Sequence, residues 1–117
     1  MCGVVGRTVK KLNIINAPQL LLLLLSRFNS GFDKIDTFVE SPTKLATHYI
    51  RDENGLQMRY RLTGLILHKG LSIATGHYIA YVIIDGRWYE ANDIHTREVS
   101  WQKVRRLNVY IIFYERL

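Results

Sequence analysis

The apolar positions of this chain fall into short runs separated by turn signals, which is the pattern of a β-sheet. Four segments are largely apolar or rich in β-branched and aromatic residues, at 20–28, 56–68, 78–84 and 109–114. Such runs predict buried strands when turn residues bound them, as Asn54-Gly55 does before the second run. A short helix is predicted at 101–107, where Ser100 can cap the first turn. The predicted fold class is therefore α+β, mostly antiparallel β.

The clearest local prediction is a β-hairpin whose two-residue turn is Asp85-Gly86. With these residues as the loop, side-chain alternation places His77 and Asn92 on one face as diagonal neighbours, about 7–8 Å apart at Cα. Asp93 then points to the opposite face. A bulge at the turn would shift the register by one residue and bring Asp93 to the His77 face instead.

A histidine beside an amide or a carboxylate has the composition of the base-and-orienter half of a nucleophilic triad. The orienting group accepts a hydrogen bond from one ring nitrogen and fixes the tautomer, which leaves the other nitrogen free to take a proton from a thiol. Because such pairs are more often structural, the spacing of His77 and Asn92 does not assign catalysis without further evidence.

The composition is that of one globular domain with a basic charge. The 117 residues are enough for one core and too few for two full domains, and 48% hydrophobic with 22% charged residues excludes wholesale disorder. The formal charge of +6 suits nucleic acid or another acidic partner. Nucleic acid is nevertheless not favoured, because the basic pairs are scattered and aromatic strands usually form core.

The single cysteine, Cys2, limits the chemistry that the sequence can support. One thiol excludes an intramolecular disulfide and a Cys-rich zinc site, and it indicates a reducing compartment, cytoplasm or nucleus. No metal site is predicted at the other histidines, since none of His48, His68 and His95 has a partner at helical spacing. The longest apolar run, residues 20–25, falls far short of the roughly 20 residues that cross a bilayer, so no membrane partner is expected.

Several motifs stand in order along the chain. Near the candidate base they are Gly76-His77-Tyr78-x-Ala80-Tyr81, then Gly86-x-Trp88-Tyr89-x-x-Asn92-Asp93, then the strand at 109–114. Upstream they are Ala17-Pro18-x-Leu20 through Ser26-Arg27-Phe28, and Tyr60-x-Leu62 through His68-x-Gly70. In order and approximate spacing, from about residue 18 to residue 116, the sequence resembles the ubiquitin-specific proteases, which are ubiquitin carboxyl-terminal hydrolases.

The resemblance implies a cysteine-type deubiquitinase with ubiquitin or ubiquitinated proteins as partners and no cofactor. The implied fold is the β-rich palm half of a papain-like cysteine protease, so that residues 1–117 form a single partial domain, the C-terminal part of the catalytic domain. His77 is then the general base, Asn92 the orienting residue and Asp93 a second, assisting acidic position. Four residues are implied to border the ubiquitin tail: His68, Gly70, Gly76 and Tyr78.

The sequence departs from the family pattern at the nucleophile. The family carries it in a cysteine box well upstream of the histidine, and Cys2 lacks the Asn-x-x-Cys context of that box. Ser26 stands where the family usually has lysine, and Ala91 where it usually has an aromatic residue. A base without a thiol cannot cleave an isopeptide bond.

Two hypotheses follow from the missing box. In the first, the chain is part of a longer deubiquitinase and is silent alone. In the second, it is a non-catalytic module that binds ubiquitin, or the missing N-terminal half of the domain. A half-domain is expected to expose an apolar patch and to associate.

Overall fold

A computed structural model of the chain describes residues 14, 16–31, 33–72 and 75–117, with the backbone alone at 47–49. Its elements are β1 (Leu20–Leu24), β2 (Lys44–Arg51), β3 (Gln57–Lys69), β4 (His77–Ile84), β5 (Arg87–Asn92), β6 (His95–Val99), α1 (Trp101–Val104) and β7 (Ile111–Arg116). The strands form one sheet in the order β1-β7-β3-β4-β5-β6, and β2 pairs with β3 off this path. Every strand pair is antiparallel. The predicted fold class is confirmed.

The hairpin of β4 and β5 has the register that the turn predicts. Ile84 pairs with Arg87, and the ladder runs on in the same register to Ala80 and Ala91. Both turn residues have positive φ, 51° at Asp85 and 78° at Gly86. A type I′ hairpin turn needs positive φ at both of its central residues.

A second hairpin follows at once, and it corrects the prediction for Asp93. β5 ends at Asn92, which pairs with His95 at the start of β6. Asp93 has a φ of 54° and lies in the turn between these strands. The expectation that Asp93 points to the face opposite His77 is therefore wrong, because Asp93 lies beyond the strand and its carboxylate is on the His77 side. Aspartate tolerates the left-handed conformation, which allows the chain to reverse directly after Asn92.

The hydrophobic core lies against one face of the sheet. Its largest fully buried side chains are Tyr60, Tyr81, Tyr114, Leu65, Val104 and Val109. Val104 comes from α1, which is shorter than predicted but begins at the predicted cap, where the side chain of Ser100 accepts a hydrogen bond from the Lys103 amide. The helix and the segment that follows it therefore cover this face of the sheet.

Arg27 joins two distant segments of the chain through its side chain. Its buried guanidinium donates to the carbonyl of Val109 from Nε at 3.0 Å and from Nη2 at 2.8 Å, and to Asn108 Oδ1 at 2.7 Å. Its Nη1 donates to the carbonyls of Ile35 and Thr37. One planar cation therefore ties the chain after β1 to the approach of β7.

Glu90 joins β4, β5, β6 and α1 through one buried carboxylate. Tyr81 donates its hydroxyl hydrogen to Glu90 at 2.5 Å, Arg97 donates from Nε at 2.9 Å, and Lys103 donates from Nζ at 3.2 Å. The hydrogen bonds from Tyr81 and Arg97, and then the contact with Lys103, outweigh burial and lower the pKa of Glu90 to about 2. Burial and this hydrogen bond raise the pKa of the Tyr81 hydroxyl.

The opposite face of the sheet is apolar and exposed at its β1 side. Leu20, Leu22 and Leu24 point away from the core, as does Val82 on β4. Between them runs a groove of about 530 Å³ lined almost entirely by apolar side chains of β1, β3, β4 and β7. The predicted exposed apolar patch is confirmed.

The Glu90 network predicts an acid-dependent loss of stability. The pKa is lowered in the folded chain, so the stabilisation is present above the ordinary value of 4.5 and is lost as pH falls towards about 2. We expect Glu90→Gln to lower the free energy of unfolding at pH 7 by about 1–3 kcal/mol, with a difference that shrinks between pH 5 and pH 2.5. Urea titrations of both proteins at each pH measure this difference in the free energy of unfolding. Glu98→Gln, at an exposed position of β6, is the control, and a pH-independent difference for Glu90→Gln would contradict the assignment.

The exposed face predicts self-association. We expect the chain to sediment above its monomer mass of 13.7 kDa at high micromolar concentration, because burying the leucine face removes apolar surface from water. Leu22→Lys should restore the monomer and change the free energy of unfolding by less than about 0.5 kcal/mol. Ile94→Lys, at an exposed turn residue outside the face, should leave association unchanged. A wild-type chain that stays monomeric would contradict the prediction.

Candidate active site

His77 and Asn92 meet at the open end of the first hairpin. His77 begins β4, Asn92 ends β5, and the distance between His77 Nε2 and Asn92 Oδ1 is 2.5 Å. An amide oxygen only accepts hydrogen bonds, so Nε2 carries the hydrogen in this pair. Nδ1 is then the ring nitrogen that can take a proton, and the side chain of His77 is 43% exposed. The diagonal contact that the hairpin register predicts is present.

Asp93 lies near the same ring nitrogen, at a greater distance. Its Oδ2 is 4.0 Å from His77 Nε2, and its side chain is 75% exposed. An exposed carboxylate at this distance is weakly attracted to an imidazolium because solvent screens the charges. The register left a choice between Asn92 and Asp93 as the orienting residue, and the geometry favours Asn92.

The other four predicted residues surround the start of β4, but they differ in exposure. Tyr78 is 51% exposed, and Gly70 and Gly76 are also exposed. His68 is 5% exposed and lies opposite Tyr78 in the β3–β4 ladder. The structure therefore places all four beside His77, with His68 inside the protein and the other three at its surface.

An aromatic cluster that the sequence did not predict encloses His68. Its ring centroid is 5.5 Å from Phe28, 5.1 Å from Tyr78 and 5.9 Å from Tyr110. Tyr78 and Tyr110 stack with centroids 6.4 Å apart. Phe28 and Tyr110 both stand within the motifs quoted above, so the signal was present, but sequence order alone does not show that their rings converge.

None of the residues that the structure describes is a cysteine, so it places no thiol beside His77. Cys2, the only cysteine of the chain, lies outside the described residues. The side chain of His48 also lies outside the described residues.

No metal centre and no membrane span is seen in the described ranges. No three His, Cys, Asp or Glu side chains there converge as metal ligands do, and no helix there is long and apolar enough to cross a membrane.

Comparisons with known proteins agree on one family. The family model described as ubiquitin carboxyl-terminal hydrolase matches residues 2–114. Ubiquitin carboxyl-terminal hydrolase 8 of Arabidopsis thaliana is 36% identical over 118 residues, which cover 95% of this chain and 13% of that protein. Ubiquitin carboxyl-terminal hydrolase 8 of Saccharomyces cerevisiae is 34% identical over 128 residues, which cover 97% of this chain and 27% of that protein.

Solved structures show the same relationship. The Ubp8-Sgf11-Sgf73-Sus1 SAGA DUB module superposes with a TM-score of 0.76 at 32% identity, over 90% of this chain and 25% of that chain. The Ubp8/Sgf11/Sus1/Sgf73 module bound to ubiquitin aldehyde gives a TM-score of 0.73 at 31% identity, over 86% and 25%. The chain therefore spans about a quarter or less of the length of the relatives described here.

The His77–Asn92 contact predicts a tautomer that NMR can measure. We expect neutral His77 to carry its hydrogen mainly on Nε2. Asn92→Ala should lower the ratio of the Nε2–H to the Nδ1–H tautomer about fivefold, the change that corresponds to one hydrogen bond of ~1 kcal/mol. Long-range ¹H–¹⁵N spectra of the imidazoles, assigned with His77→Gln, give the ratio.

Asp93→Ala separates the two candidate orienting residues in the same experiment. Because its carboxylate is distant and exposed, its removal should leave the tautomer ratio within about twofold. A larger effect from Asp93→Ala than from Asn92→Ala would reverse the assignment.

Proposed function

The chain belongs to the ubiquitin carboxyl-terminal hydrolase family, and we propose that it supplies the general base and the orienting residue of a cysteine-type deubiquitinase. The single observation that carries the proposal is the contact between His77 Nε2 and Asn92 Oδ1 at 2.5 Å. It occupies one ring nitrogen of an accessible histidine and leaves the other as a base. The chemistry removes ubiquitin from proteins.

In the proposed reaction His77 acts as a base in two steps and as an acid after each of them. Nδ1 takes the proton of a cysteine thiol, and the thiolate attacks the carbonyl carbon of the C-terminal glycine of ubiquitin. When the carbon–nitrogen bond breaks, the imidazolium returns the proton to the leaving amine. Water then attacks the thioester with His77 again as the base, the carbon–sulfur bond breaks, ubiquitin leaves, and the imidazolium returns the proton to the thiolate. Asn92 holds the ring orientation through all of these proton transfers.

The thiol in this proposal belongs to a longer deubiquitinase of which these 117 residues are part. The chain spans 13% and 27% of two curated relatives. Cys2, the only thiol of the chain, is followed by Gly3, Val4 and Val5 and lacks the Asn-x-x-Cys context that supplies an oxyanion donor in the family. The 117 residues alone are therefore proposed to be silent towards ubiquitin conjugates.

Ubiquitin is the proposed partner at the surface beside His77. One structural neighbour is described as bound to ubiquitin aldehyde. Gly70 and Gly76 have no side chains to obstruct an extended peptide, and the exposed ring of Tyr78 offers it an apolar contact. We assign to these three residues the border of the ubiquitin tail, and buried His68 packs behind Tyr78 and Gly76.

The alternative is a module that binds ubiquitin, or the missing half of the catalytic domain, without cleavage. The observation that favours it is the combination of a sequence without a cysteine box and an exposed apolar face at Leu20, Leu22 and Leu24. In either case the single cysteine supports a cytoplasmic or nuclear location.

A chimera decides between the two functions. The segment of the Saccharomyces cerevisiae relative that aligns with this chain, at 34% identity, is replaced by residues 14–117. We expect the chimera to hydrolyse a fluorogenic ubiquitin conjugate. His77→Gln in it should lower kcat by roughly 10²–10⁴-fold, the usual contribution of a general base.

His95→Gln is the matched control in the chimera, because His95 lies in an exposed strand of the same sheet. It should leave kcat within about twofold. A folded chimera that binds ubiquitin without hydrolysing it would favour the non-catalytic module, and an unchanged kcat in His77→Gln would remove His77 from the mechanism.

A further inference from the structure

We propose that His68 is a positioning residue, whose imidazole locks against Gly76 and so sets the backbone that carries His77. The inference rests on the proposed role of His77 as the base. It concerns how the protein holds that base, and it assigns no contact between His68 and substrate.

His68 contacts the residues on both sides of His77. A Cβ atom placed on Gly76 would lie 2.8 Å from His68 Cε1, closer still to His68 Nε2, and 2.7 Å from the carbonyl oxygen of Lys69. On the other side of His77, the ring of Tyr78 lies edge-on to the imidazole at 5.1 Å between centroids. His77 is therefore held between two residues that pack on one ring.

His68 is itself packed against side chains other than those next to His77. Phe28 and Tyr110 contact its ring edge-on at 5.5 and 5.9 Å. Lys34 Nζ donates a hydrogen bond to the His68 carbonyl at 2.5 Å, and its side chain is 14% exposed. Phe28 is fixed in turn through its neighbour Arg27, whose guanidinium binds the carbonyl of Val109.

Gly76 has a second close neighbour in Gly70. A Cβ on Gly70 would lie 2.9 Å from Gly76 Cα and 2.9 Å from the Thr75 carbonyl oxygen. Both glycines have φ in the positive region, 139° at Gly70 and 150° at Gly76, which other residues adopt at a cost. The strand that carries His77 therefore starts from a point that is closely packed on two sides.

An imidazole at position 68 costs the fold stability. Neither Nδ1 nor Nε2 of His68 has a hydrogen-bond partner among the described residues, and a buried polar group without a partner destabilises the fold. An apolar side chain would fill the same space without that cost. The flat ring, however, lies close against Gly76. We assign to this contact the positioning of the backbone that carries His77.

A double-mutant cycle tests the contact between His68 and Gly76. Gly55→Ala is the matched control, because Gly55 has a φ of 81° and its Cβ would have no atom within 4 Å, so that it reports backbone strain alone. Gly76→Ala should lower the folding equilibrium constant at least about tenfold more than Gly55→Ala does. In the His68→Ala background, the factor by which Gly76→Ala lowers the folding equilibrium constant more than Gly55→Ala does should shrink about five- to thirtyfold. Additive effects within about twofold would overturn the interlock.

The His77 tautomer tests the positioning role. His68→Ala should lower the Nε2–H to Nδ1–H ratio of His77 about fivefold, as the loss of its bond to Asn92 would. Val104→Ala, a core deletion in α1 away from residues 76–78, controls for lost stability and should leave the ratio unchanged. A ratio that stays within about twofold in His68→Ala would show that His68 is structural only. If His68→Ala does not fold, His68→Val, which removes the flat ring and fills only part of its space, is read by the same criterion.

The wild-type spectrum separates this inference from the proposed function. A wild-type chain without an excess of the Nε2–H tautomer would overturn both the His77–Asn92 assignment and the positioning role that rests on it. If the wild type has an excess of the Nε2–H tautomer and His68→Ala keeps it, only the positioning role of His68 is overturned.

Discussion

The two-residue turn at Asp85 and Gly86 sets the register between β4 and β5, and the candidate active site depends on that register. Side chains alternate between the faces of a strand, so a shift of one residue would turn Asn92 away from His77. The positive φ of both turn residues is that of a two-residue type I′ turn, which fixes the register of the two strands that it joins. A local backbone preference thus determines which two side chains meet at the far end of the hairpin.

The rest of the sheet keeps the ends of that hairpin in place. Glu90 attaches β5 to β4, β6 and α1 two residues before Asn92, and the aromatic cluster around His68 supports the first residues of β4. His77 and Asn92 therefore need few contacts of their own and remain open to solvent. A site built in this way combines an accessible base with a rigid support, as proton transfer in an enzyme requires.

The sequence was informative where structure is local, and less so where distant segments converge. Five strands (β1, β3, β4, β5 and β7), the first turn and the His77–Asn92 pair follow from apolar runs, alternation and turn chemistry, whereas β2 and β6 were not predicted. The ordered motifs indicated the family that the comparisons confirmed. Asp93 was misplaced because one aspartate can either continue a strand or reverse the chain. The burial of His68 and the partners of Glu90 could not be predicted, since they come from residues as far as 42 positions away, as Tyr110 is from His68, with no periodic pattern to link them.

The position of β7 between β1 and β3 has a consequence for how the chain folds. Leu20 of β1 pairs with Glu115 of β7, and Arg61 of β3 pairs with the same residue. During synthesis the five leucines of β1 consequently leave the ribosome long before their neighbour exists. Sheets closed by such distant pairings fold slowly, and unpaired apolar strands are prone to capture by other chains in the interval. Chaperone occupancy of the nascent leucine segment would accordingly end when residues 111–116 emerge.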